Sequence, residues 1–199
     1  MNDDSEDFSE LLRRNRQMHA GFFSWKDKPV GEKGAVESLN ESLKKCGQPA
    51  FLAVKSRSND PPDCEARSFD GKRIGIEVTE LVDEDSRAAS QPNRKKPLTQ
   101  DKISKLHRRP RYAEHEFEKF IRDRIGEKDK QSSVKDGPYD EYVLIICCDE
   151  ARALYAPLIE YLRGCEFGPT ELVDRVFFLI SYDPQKECCP FVELKLGCS

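Results

Sequence analysis

Apolar residues in this chain gather into short runs separated by polar stretches, and the spacing inside each run predicts its element. Over residues 32–46, Val36, Leu39 and Leu43 recur at intervals of three and four, the period of an amphipathic helix, which Gly47 and Pro49 then stop. Residues 51–55 read as a first strand. The loop Asn59-Asp60-Pro61-Pro62 follows, where two prolines exclude helix and favour an extended approach to what comes next. Residues 64–69 and 72–81 flank Asp70-Gly71, a dipeptide suited to a tight hairpin turn. In the second arm Ile74, Ile76 and Val78 alternate with Gly75, Glu77 and Thr79, so one face is apolar and the other presents polar groups.

Residues 84–98 read as a loop, and a long helix is predicted over residues 99–125, interrupted near Pro110 and resuming with Tyr112, Phe117, Phe120, Ile121 and Ile125. A polar loop at 128–138 leads into a strand (142–148), a helix (150–163) and strands at 174–182 and 191–196. This alternation predicts an α/β fold with a mixed central sheet flanked by helices. Residues 1–30 combine an acidic start, the basic stretch Arg13, Arg14 and Arg16, and the aromatic patch Phe22, Phe23 and Trp25, without a period. They read as an N-terminal arm to one domain over residues 31–199.

Composition supports a single domain of 199 residues carrying 33 basic and 37 acidic side chains, a formal charge of −4. Charged residues reach 35%, yet the strand-length runs at 142–148 and 176–182 argue for a buried sheet and exclude general disorder. No run approaches the roughly 18 apolar residues of a membrane span, and the acidic start is unlike a secretory leader. The expectation is a cytoplasmic protein with no membrane partner, its eight cysteines held as thiols. Cys147-Cys148 and Cys188-Cys189 are adjacent pairs, unlike the Cys-x-x-Cys spacing that converges on zinc.

Candidate chemistry centres on the hairpin. Asp63 stands just before the first arm and Glu77 lies on the polar face of the second, so the turn can bring both carboxylates to one place. Hard divalent cations such as Mg²⁺ favour such oxygen ligands, with water and substrate phosphate completing the shell. Thr79 shares the face of Glu77, and the carbonyl of Val78 between them is a further available ligand. Between positions 94 and 111, Arg94, Lys95, Lys96, Lys102, Lys105, Arg108, Arg109 and Arg111 face a single acid, Asp101. A local band of this kind can hold a phosphate backbone on an acidic chain, because screening confines the field to about 10 Å at 0.1 M salt.

Pro62-Asp63, followed by Glu77-Val78-Thr79 in the place of an E-x-K motif and preceded by a helix bearing a glutamate, resembles the PD-(D/E)XK nuclease superfamily. The resemblance covers roughly residues 32–148 and implies a restriction-endonuclease-like αβββαβ core with Mg²⁺-dependent phosphodiesterase activity on DNA. Asp63 and Glu77 would ligate the metal, with the Val78 carbonyl completing part of the shell and Glu32 as the helix acid. Glu37 competes with Glu32 for that last role. Thr79 departs from the pattern, since a threonine hydroxyl cannot supply the family's lysine charge. Lys102 or Lys105, on the helix after the third strand, would supply it instead. The alternative is a nuclease-fold module that binds nucleic acid or a protein partner without cutting.

Overall fold

The computed structural model describes residues 28–81, 114–130, 134–148, 155–183 and 185–197. Its elements are α1 (Lys28–Lys45), β1 (Leu52–Ser56), β2 (Cys64–Arg67), β3 (Arg73–Glu80), α2 (Glu114–Lys128), β4 (Glu141–Cys148), α3 (Tyr155–Gly164), β5 (Glu166–Phe167), β6 (Arg175–Ile180) and β7 (Phe191–Leu196). They form an α/β fold around one seven-stranded mixed sheet of order β1-β2-β3-β4-β6-β7-β5. β1, β2 and β3 are antiparallel neighbours, whereas β4 runs parallel to both β3 and β6. That parallel centre explains the composition of β4, where every residue after Glu141 is buried and helices cover both faces.

The two faces carry separate cores. On one, Val36, Leu39 and Leu43 of α1 pack with Ile74, Ile76, Val143, Ile145, Phe177 and Leu179. On the other, Phe117, Ile121 and Ile125 of α2 and Leu158, Ile159 and Leu162 of α3 pack with Leu144, Ile146, Val176 and Phe178. The alternation along β3 sends Ile74 and Ile76 to the α1 face, which places Glu77 on the α2 face.

Two departures from the periodicity have simple causes. α1 begins at Lys28, earlier than residue 32, because Pro29 fits a first helical turn, where its missing N–H needs no partner. β5 is only two residues long, pairing Glu166 and Phe167 with Lys195 and Leu196, too short to leave a period. Of the helix predicted over 99–125, the part from Glu114 is helical and the rest lies outside the described residues.

Asn40, on the buried face of α1, fixes the approach to β1. Its Nδ2 donates to the Phe51 carbonyl at 2.9 Å and its Oδ1 accepts from the Phe51 N–H at 2.8 Å. Asn40→Ala would leave both backbone groups unpaired in the interior, so urea denaturation should show a loss of about 2–3 kcal/mol.

Candidate metal centre

Strand register assembles the acidic site. Cys64 lies opposite Ile76, so Asp63, one residue earlier, falls opposite Glu77 in the antiparallel pair. The Val78 N–H donates to Asp63 Oδ2 at 2.8 Å and locks the carboxylate in place. The second oxygen, Oδ1, is buried without a hydrogen-bond partner. Both acids are 4% exposed. Asp60 reaches the same spot from the loop, and one carboxylate oxygen from each of Asp60, Asp63 and Glu77 lies within 4.8 Å of the others. Lys135 clamps that loop, donating its N–H to the Pro61 carbonyl at 2.9 Å and its ammonium to the Asp60 carbonyl.

Two lysines flank the acids. Lys128, the last residue of α2, places Nζ 2.5 Å from Glu77 Oε1, while the Tyr142 hydroxyl donates to Glu77 Oε2 at 3.4 Å. The next residue anchors that end of the helix: Asp129 accepts from the N–H groups of Glu171, Leu172 and Val173 at 2.8, 2.7 and 3.0 Å. Gly75 is part of the same device, since a Cβ there would stand 3.0 Å from the Tyr142 ring that now lies over the strand. On the opposite side, Lys28 at the start of α1 places Nζ 3.0 Å from Glu32 Oε1, 3.1 Å from Asp60 Oδ2 and 3.7 Å from Asp63 Oδ1. These contacts, the Glu32 hydrogen bond first, hold Lys28 cationic well above the ordinary lysine range.

Burial pushes the Asp63 carboxyl up to about 7, with the Glu32 and Asp60 carboxylates adding to the rise and the Val78 N–H opposing it. Glu77 is raised too, by burial and then by Asp63, against the pull of Lys128. An unfolded aspartate titrates near 4, so between about pH 4 and 7 the folded chain holds a proton that the unfolded chain has released. The sign is therefore a loss of stability as pH rises through that window, complete above it. Melting in EDTA should show a Tm that falls from pH 5 to pH 8, and Asp63→Asn should flatten the slope.

The residues singled out from the sequence distribute as follows. Asp63 and Glu77 meet. Val78, half-buried on β3, holds Asp63 through its N–H. Thr79 lies two residues beyond Glu77 in β3, half-buried and in register with Ile146. Glu32 stands beside Asp63, whereas Glu37 is exposed and paired with Lys33 at 3.4 Å. Lys102, Lys105, Arg94, Lys95, Lys96, Arg108, Arg109 and Arg111 lie outside the described residues. Sequence reasoning missed Asp60, Lys128, Tyr142 and Lys28. For Lys128 a signal exists: it continues the spacing of Phe117, Ile121 and Ile125, a charge in phase with a buried stripe.

No family model, curated protein or solved structure matches this chain. What fold and site define together is an α/β protein with an acidic cluster at the β2–β3 hairpin of a mixed sheet. The donor set is all carboxylate oxygen and suits a hard divalent cation more than zinc. Asp63 Oδ1, buried without a hydrogen bond and with the Lys28 ammonium 3.7 Å away, is the oxygen such a cation would satisfy. The adjacent Cys64 turns instead into the core under α1, where burial pushes its thiol up to about 12.

Proposed function

We propose that this protein is a Mg²⁺-dependent phosphodiesterase of the PD-(D/E)XK nuclease kind acting on DNA. The observation that carries the reading is the meeting of Asp63 and Glu77 across adjacent strands, with Asp60 alongside. The described elements also run helix, three strands, helix, strand before the later additions. Nucleic acid as the substrate rests on the basic band between positions 94 and 111.

A divalent cation held by Asp63, Glu77 and Asp60 would polarise a phosphoryl oxygen and make water a better nucleophile. The chain's own groups do the rest. The Val78 N–H and the Tyr142 hydroxyl orient the two buried acids. Lys128 brings to Glu77 the positive charge that Thr79 cannot, and there it can stabilise charge developing on a phosphate. Glu32 sits beside Asp63 and holds the Lys28 ammonium at 3.0 Å.

A specific observation favours the second reading, a nuclease-fold module that binds without cutting. Lys28 and Lys128 already neutralise part of the acid cluster, and Thr79 replaces the lysine of the family motif. Incubating supercoiled plasmid with the protein in Mg²⁺, Mn²⁺ or EDTA separates the two. Nicking that needs the cation and disappears in Asp63→Asn supports the enzyme, whereas DNA binding with no nicking in any cation supports the module.

A further inference from the structure

Helix energetics explain the position of Lys28 only through its pair with Glu32 one turn on, at 3.0 Å. It is the first residue of α1, where the positive end of the helix dipole disfavours a cation, and the first turn contains no acid to offset it. What holds it there is the site: its ammonium contacts Glu32, Asp60 and Asp63, two of them members of the acidic triad. The two lysines of the site differ in freedom. The Lys128 side chain is 33% exposed on a helix end tied down by Asp129, whereas that of Lys28 is 71% exposed. Asp60, its partner, is also half-exposed, while Asp63 and Glu77 are buried and fixed. The exchangeable part of the site is thus the Lys28–Asp60 pair.

We propose that Lys28 is a tethered internal cation that competes with the divalent ion for Asp60 and Asp63, setting the metal concentration at which the site fills. The proposal rests on the reading of the acid cluster as a metal site. Loading the metal takes Asp60 away from Lys28, whose ammonium swings into solvent at the mouth of the site. Because the lysine is exposed, its hold on the carboxylates is modest, and removing it should tighten metal binding by about two- to fivefold.

Calorimetric titration of the full chain with Mn²⁺ at low salt tests this, using wild type, Lys28→Met, Lys28→Arg and Asp63→Asn, with matching circular dichroism to show that each is folded. The expected result is tighter binding by Lys28→Met, unchanged binding by Lys28→Arg and binding weakened about a hundredfold or more by Asp63→Asn. The gap between wild type and Lys28→Met should narrow as KCl rises, because salt screens an exposed ammonium. Equal affinities for wild type and Lys28→Met, or weaker binding by Lys28→Met, would overturn the competition while leaving the metal site standing. No Mn²⁺ binding by wild type or Lys28→Met would overturn both.

Discussion

Asp63→Asn should abolish cation-dependent cleavage and lower Mn²⁺ affinity on the order of a hundredfold or more, since affinity at such sites follows the number of charged ligands. The same change should leave the metal-free protein at least as stable as wild type at pH 8. The amide oxygen of an asparagine can still accept the Val78 N–H that Asp63 Oδ2 accepts at 2.8 Å, so the strand junction keeps its hydrogen bond. What disappears is a carboxylate, 4% exposed, that burial and its acidic neighbours push up to about 7. A buried oxygen with no hydrogen bond is a cost to the fold and an opportunity for a ligand, and the two effects of the substitution separate them. Calorimetry for the ion, plasmid nicking for cleavage and thermal melting for the fold give three independent readouts. A large loss of stability with unchanged Mn²⁺ affinity would mean that Asp63 is a structural residue and the acid cluster no metal site.

The cluster was legible where strand geometry determines it and illegible where packing does. Alternation along β3 and the Asp70-Gly71 turn bring Asp63 to the neighbourhood of Glu77, but a two-residue turn would set it opposite Val78; the turn takes in Phe69 as well, and the register that pairs Arg67 with Arg73 sets Asp63 opposite Glu77. Asp60 is three residues from Asp63, but its return to the site depends on Lys135, far along the chain, holding the loop. Reading residues 128–138 as loop concealed Lys128, which the sheet core under α2 carries to Glu77 across 51 positions. The choice between Glu32 and Glu37 likewise needed the orientation of α1, which its apolar stripe fixes only to within a neighbouring position. The paired strands and buried stripes are written in short-range patterns. The cations that make the acids usable are written in which helix packs on which face.

Lys128→Met should lower cleavage by about 10²–10³-fold, the scale for removing one preorganised stabiliser of developing charge. Its effect on metal affinity should be small and in the opposite direction, since the ammonium 2.5 Å from Glu77 Oε1 competes with a cation for that oxygen. The loss also has a pH signature. Lys128 pulls the Glu77 carboxyl down against burial and Asp63, so without it Glu77 holds its proton to higher pH. Residual cleavage and Mn²⁺ binding should therefore both require more alkaline conditions than in wild type. Methionine keeps an aliphatic stem of similar length, and Asp129 still ties the end of α2 to residues 171–173, so folding should persist. Lys128→Arg should recover part of the activity by restoring the charge in a different shape. The rival source of that charge is the basic stretch of sequence bearing Lys102 and Lys105, outside the described residues. Full activity in Lys128→Met, with loss in a Lys102→Ala, Lys105→Ala double variant, would return the role to that segment and leave Lys128 as a counter-ion to a buried acid.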